Sequence, residues 1–223
     1  MKRRMLIAAA AAVSVAPLAS MFPLNALAAA GEKSGSKQLE AFVKSAVRAS
    51  GHFSQVVIGK DGKKVDGPLE GDFAFMRPGR FVWNVKTPYP QRIVSDAKSI
   101  YIWDPDLNQV TIKRLTSALS STPASILFGE ADIGASFELK DLPAAEGLVW
   151  VRATPRVEDL TYAAIELGFD AKGRIAAMRL KDHFGQTTAL TLTDLEINGG
   201  MDEKQFAFTI PEGADVLKDD NGA

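Results

Sequence analysis

The chain has 223 residues, no cysteine, and 26 lysine plus arginine residues against 27 aspartate plus glutamate. The lack of cysteine excludes disulfides, thiolate metal sites, cysteine nucleophiles and a lipid-modified N-terminal cysteine. The near-neutral balance argues against a nucleic-acid partner, which normally requires a basic face.

The chain opens with a targeting segment. Lys2, Arg3 and Arg4 form a basic start, Met5 to Leu18 is a mostly apolar core, and Ala26-Leu27-Ala28 offers a small-x-small cleavage site. Pro17 and Pro23 interrupt the segment, which argues against a permanent membrane span. The expectation is a signal peptide over 1–28, cleaved near Ala28, with export to the periplasm and a single soluble domain over 29–223. Removing the three leading cations leaves 23 basic residues against 27 acidic ones. That mild acidity again predicts no nucleic-acid partner.

Ala29 to Gly35 reads as a leader. Leu39, Phe42, Val43, Ala46 and Val47 then recur at helical spacing, predicting an amphipathic helix over Ser36–Ser50, capped by Ser36 and stopped by Gly51. Beyond it, period-2 segments dominate. Strands are expected at His52–Gly59, Pro68–Arg77, Arg80–Lys86, Gln91–Ser95, Ser99–Asp104 and Gln109–Arg114. Others are expected at Ser136–Lys140, Leu148–Thr154, Thr161–Phe169, Arg174–Asp182, Thr187–Ile197 and Phe206–Thr209. Turns fall at Asp61-Gly62, Pro78-Gly79, Lys172-Gly173 and Phe184-Gly185. Between Leu115 and Ala131 the alternation stops, and two short helices divided at Pro123 fit better. This is a mainly β chain with a few helices, best built as one strongly curved antiparallel sheet.

The stretch from Phe73 to Val110 is the most informative. Phe73, Phe75 and Arg77 share one parity, so the guanidinium lies on the same side as two phenylalanines. After the Pro78-Gly79 turn, Phe81, Trp83 and Val85 share a face. A cation beside an aromatic-lined concavity suggests binding of something apolar with a polar latch. Two readings of Arg77 stand together: a latch, or a turn-flanking arginine that reaches solvent. The set Phe73, Phe75, Phe81, Trp83, Trp150, Phe169, Met178, Leu180, Leu190 and Leu192 is likewise either core or cavity lining. Parity does not decide whether Tyr101 and Trp103 or Ile100 and Ile102 point inward. Leu39 and Phe42, with Leu119, Pro123, Ile126 and Leu127, belong to the helices available to cover the concave face.

Catalytic chemistry finds little support. A hydrolase needs a nucleophile with its base, yet only His52 and His183 exist and no G-x-S-x-G element is present. Asp104 and Asp106 flank Pro105 and read as turn chemistry, since calcium requires more ligands. No enzyme activity, metal or cofactor is expected.

The RPGRFVW block at Arg77–Trp83 resembles the R-P-x-x-F-x-W hallmark of the periplasmic outer-membrane lipoprotein carrier family, LolA. Arg92–Val110 is similar to its V-S-D-G-x-x-L-W-x-Y-D-P-x-L-x-Q-V region, with Ala97 where the family commonly has glycine. Thr122–Leu127 resembles its T-P-x-x-L-L element. Phe206–Gly213 resembles its closing F-x-F-x-P-P-x-G, with Ile210 where many members have proline. The resemblance implies an unclosed β-barrel of about eleven antiparallel strands under a helical lid. It implies Arg77 as the lid latch, bonded to lid carbonyls between Leu119 and Ile126, above an acyl-chain cavity lined by the ten residues of the set above. It also implies a monomeric carrier without cofactor or catalysis. Such a carrier takes triacylated lipoproteins from an inner-membrane ABC-type releasing complex and delivers them to an outer-membrane receptor. The competing reading is a periplasmic lipid-binding or envelope-sensing protein with different cargo on the same scaffold.

Overall fold

The structure is a computed structural model that describes residues 34–115, 127, 133–156 and 162–219. The expected signal peptide, most of the two short helices after Leu115 and the expected site residues Leu119, Pro123 and Ile126 lie outside these residues.

One helix, α1 (Gly35–Ser45), precedes eleven strands that follow one another around a single sheet. They are β1 (Arg48–Ile58), β2 (Lys64–Met76), β3 (Arg80–Thr87), β4 (Gln91–Asp96), β5 (Ser99–Asp104) and β6 (Gln109–Arg114). After a short helix, α2 (Ile133–Ser136), come β7 (Phe137–Ala145), β8 (Leu148–Pro155), β9 (Ala164–Phe169), β10 (Ile175–Lys181) and β11 (Thr187–Ile197). A twelfth strand, β12 (Asp215–Asp219), was not expected and runs parallel to β6, pairing Asp215 with Gln109. The order is β12-β6-β5-β4-β3-β2-β1-β11-β10-β9-β8-β7, so β12 and β7 are edges and the sheet is not closed into a barrel.

The sheet curls around α1. The N-terminus of the helix presses on β8, where a Cβ on Gly35 would sit 2.7 Å from the Trp150 carbonyl carbon. Its other end reaches β2, where Phe42 meets Phe75 edge-on at 6.4 Å. Strands β8 and β2 are five positions apart in the sheet, about 24 Å if flat. The eleven-residue helix is only about 16 Å long, so curvature must close the gap.

Alternation sorts the two faces. Inward side chains include Leu39, Phe42 and Val43 of α1, Phe53 of β1, Phe73 and Phe75 of β2, and Phe81 and Val85 of β3. Ile100, Val151, Ile165, Leu167, Phe169, Met178, Leu180, Leu190 and Leu192 continue this core around the curve. On the outer face Ala74, Met76, Val82 and Val94 form a smaller core closed by Phe206.

Three local expectations are corrected. The helix ends at Ser45 and not Ser50, because β1 begins at Arg48 to pair with Met76 of β2 and Ala49 with Ile197 of β11. Gly51 lies within β1, and the N-cap is Ser34, whose hydroxyl accepts from the Lys37 N–H. Phe206–Thr209 is no strand: a 3-10 turn at Glu203–Phe206 buries Phe206, and Phe208 stacks on Tyr101 at 5.2 Å. A strap with one side on the protein shows the same period-2 pattern as a strand.

Ala97 adopts φ 75° in the β4–β5 turn, a left-handed conformation that costs an alanine roughly 1 kcal/mol relative to glycine. Ala97→Gly is expected to raise the thermal midpoint by about 2–4 °C, measured by calorimetry. Gly35→Ala should lower it, because the methyl group meets backbone rather than a flexible side chain.

Candidate functional site

Arg77 follows the last residue of β2 and keeps the inward parity of Phe73 and Phe75. Its Nη1 donates to the Val43 carbonyl at 2.6 Å and its Nη2 to the Leu127 carbonyl at 2.8 Å. The guanidinium carbon lies 5.6 Å from the centre of the Phe75 ring. Burial pushes the guanidinium below its ordinary pKa, the direction expected when a cation is drawn from water. The Nε–H is buried without a hydrogen-bond partner among the described residues. One side chain of the sheet thus holds the backbones of two covering segments. The acceptors differ from the expected 119–126 window: one is on α1 and the other is Leu127. Val43 qualifies because the last turn of a helix leaves its carbonyls unpaired.

The same helix is fastened at both ends by side chains from elsewhere in the sheet. Asn198, just past β11, donates from Nδ2 to the Ser45 carbonyl at 2.9 Å and accepts from the Val47 N–H at 2.9 Å. At the other end Asp141 of β7 accepts from the Ser36 N–H and the Ser34 hydroxyl, both at 2.7 Å. Burial alone would raise the Asp141 carboxyl. Hydrogen bonds from Ser36 and Ser34 outweigh it and hold the group below its ordinary value. These contacts span 105 and more residues of sequence, and no local motif announces them.

Nine of the ten expected lining residues share the inner face: Phe73, Phe75, Phe81, Met178, Leu180, Leu190, Leu192 and Phe169 are in the main core, and Trp83 packs against it. Trp83 stacks on Phe53 at 3.9 Å and on Phe73 at 5.7 Å. Phe53 was missed because the apolar run Val56-Val57-Ile58 breaks the alternation of its strand and hides its register. Leu39, Phe42 and Leu127 are buried against the same interior.

Trp150 is a correction. Val151 and Ala153 point inward, so Trp150 goes outward with Arg152. There its ring lies 4.0 Å under the Arg179 guanidinium, its Nε1 donates to the Ala145 carbonyl at 3.0 Å, and Gly168 leaves room for it. The run Leu148–Val151 lacks alternation, and Arg152 two residues on was the available signal. The open question at β5 is answered: Ile100 and Ile102 face the core, and Tyr101 lies outside against Phe208.

Other expected features behave as surface chemistry. His52 is exposed on the outer face, where it borders hollows of about 310 and 420 Å³ shared with Asp72, Glu70, Thr191 and Thr193. The Asp104 carboxylate accepts from the Leu107 N–H at 3.3 Å, as turn chemistry requires. Buried Glu166 on the outer face accepts from Arg152 at 2.7 Å and Lys181 at 2.9 Å. Burial opposes its charge, but the hydrogen bonds from Lys181 and Arg152 hold it below the usual carboxylate range.

An open antiparallel sheet wrapped around an apolar interior, with a helix laid inside and one arginine tying sheet to cover, defines the unclosed-barrel class. Residues 44–209 match the family described as outer membrane lipoprotein carrier protein LolA. The outer-membrane lipoprotein carrier protein of Cupriavidus pinatubonensis is 41% identical over 220 residues, covering 98% of this chain and 100% of that one. The Ralstonia nicotianae protein of the same name is 40% identical over 204 residues, 90% of this chain and 94% of its own. The chain belongs to the LolA family. An uncharacterized conserved protein from Thermus thermophilus shares the fold, with a TM-score of 0.50 at 13% identity over 82% of this chain and 96% of that one.

Replacing Arg77 with leucine is expected to speed amide exchange in the last turn of α1 by about tenfold, because the charge-assisted bond to the Val43 carbonyl is lost. Asp141 gives a pH dependence of definite sign. Its folded pKa is depressed, so its stabilisation is present above the unfolded value near 3.8 and is lost as pH falls through the folded value. Acidification through that range should loosen α1 in the native protein. Asp141→Ala should remove that response and cost about 1 kcal/mol at neutral pH, read by urea denaturation.

Proposed function

We propose that this protein is a periplasmic carrier that accepts triacylated lipoproteins leaving the inner membrane, shields their acyl chains, and delivers them to the outer membrane. The observation that carries this reading is the bridge from Arg77 to the carbonyls of Val43 and Leu127 beside a large apolar core on the inner face. Family membership and full-length similarity to named carriers support it. The releasing partner is an inner-membrane ABC-type complex and the acceptor an outer-membrane lipoprotein receptor. The chain acts as a monomer without catalysis, metal or cofactor, as a single domain over 29–223 once the signal is removed near Ala28.

Burying one methylene is worth about 0.8 kcal/mol, so a 16-carbon chain is worth roughly 12 kcal/mol when fully covered. Cargo with three such chains does not cross water unshielded. A permanently open pocket would hold it too tightly to hand it on. Here Phe42, Val43 and Leu127 occupy the interior that Phe73, Phe75, Phe81, Trp83, Phe169, Met178, Leu180, Leu190 and Leu192 line. Cargo must displace these covering groups and break the Arg77 bonds, which lowers its net affinity. Arg77 is therefore the lid latch, and its strength sets how readily cargo is released.

The exported protein, added to spheroplasts of the source organism, should release outer-membrane lipoproteins into the supernatant as a one-to-one soluble complex. No release above buffer would overturn the carrier reading and favour a lipid-binding protein with other cargo. Arg77→Leu should still accept cargo yet pass it to outer membranes at least tenfold more slowly, since closure no longer opposes binding.

A further inference from the structure

Asparagine followed by glycine occurs at Asn198-Gly199 and at Asn221-Gly222, and the second pair lies outside the described residues. The backbone nitrogen after an asparagine can attack the side-chain amide carbon, and glycine alone leaves that nitrogen unshielded by a side chain. Asn84 and Asn108 are followed by Val85 and Gln109, which shield it. Asn198 is exposed to water, and the Gly199 N–H makes no hydrogen bond among the described residues. The backbone does not demand glycine there. Gly199 lies outside the left-handed region, and a Cβ on it would first meet the side chain of exposed Glu196.

The same amide fastens the last turn of α1. Its Nδ2 gives the Ser45 carbonyl a partner at 2.9 Å, and its Oδ1 accepts from the Val47 and Arg48 N–H groups at 2.9 and 3.3 Å. The Asn198 N–H donates to the Arg48 carbonyl at 2.9 Å. While these bonds hold, the side-chain carbon is not free to turn toward the Gly199 nitrogen. Reaction therefore waits for local opening at this corner. A carboxylate in place of the amide would keep the two acceptor bonds and lose the donor. It would face the Ser45 carbonyl at the negative end of the helix, with the Glu196 side chain close by.

We propose that Asn198-Gly199 is a site of spontaneous deamidation, closed while α1 is fastened and reactive when its last turn lifts, and that the product weakens the fastening. The Gly199 nitrogen loses its proton and bonds to the side-chain carbonyl carbon of Asn198. Ammonia leaves, and a five-membered imide joins the two residues. Water then opens the imide at one carbonyl or the other, giving aspartate or isoaspartate. One water is consumed and one ammonia released, with no change of oxidation state. Isoaspartate also routes the backbone through the β-carbon, which displaces the carboxylate from the Val47 and Arg48 N–H groups. The inference rests on how α1 is held and not on what the protein carries.

The exported chain is incubated at mildly alkaline pH, with and without urea sufficient to unfold it. Mass spectrometry then scores asparagine, aspartate and isoaspartate at position 198, on a peptide separate from the one carrying Asn221. Conversion at 198 is expected in urea, and at least tenfold more slowly in the folded protein. Arg77→Leu, which releases the Val43 carbonyl in the last turn of α1, should speed conversion in the folded protein about fivefold. Gly199→Ala should suppress conversion at 198 and leave Asn221 unaffected. Asn198→Asp should exchange amide protons in the last turn of α1 about tenfold faster than wild type, with the same circular dichroism. No conversion in urea, or equal rates folded and unfolded, overturns the protected site. An Arg77→Leu rate equal to that of the wild type overturns the gating by α1. Wild-type exchange in Asn198→Asp overturns the weakening of the fastening.

Discussion

A guanidinium turned toward an apolar interior is the constraint around which this molecule is arranged. Arg77 leaves β2 with the parity of two phenylalanines, and burial in that setting is costly unless acceptors are supplied. The acceptors come from the segments that cover the interior, the last turn of α1 and Leu127. Covering the core and satisfying the cation are therefore one event. A protein with leucine at this position would cover its core just as well, but with no polar term that is lost on opening.

The helix that receives the bond is anchored independently. Asp141 holds its first turn to β7, and Asn198 holds its last turn beside β11. Arg77 reaches the Leu127 carbonyl from the sheet as well, so one side chain ties both covers to the interior that apolar cargo must enter. The interior then exchanges one set of apolar groups for another, so the net change in buried area is small and the polar bonds decide the balance.

Much of this was legible in the residue order. Alternation located eleven strands to within a few residues, the Pro78-Gly79 turn placed Arg77, and parity grouped Phe73, Phe75, Phe81 and Trp83. What failed did so for identifiable reasons. Trp150 sits in an apolar run with no alternation, and its placement among the lining residues fails because Val151 and Ala153 take the inward positions. The end of α1 was misread because its apolar periodicity continues through Ala46 and Val47, while Asn198 and the pairing of β1 stop the helix earlier. β12 is five residues without a local signal, and it exists because β6 offers an unpaired edge.

Local chemistry by itself determined what each segment is: helix or strand, which side chains alternate, where the turns fall, and that one cation shares a face with aromatic groups. Those properties depend on neighbours a few residues apart. The tertiary structure alone decided which faces became interior, which carbonyls receive Arg77, and which distant residues fasten α1. Contacts such as Asp141 with Ser36 or Arg77 with Leu127 join residues 105 and 50 positions apart. Only the curl of the sheet brings them within hydrogen-bonding distance.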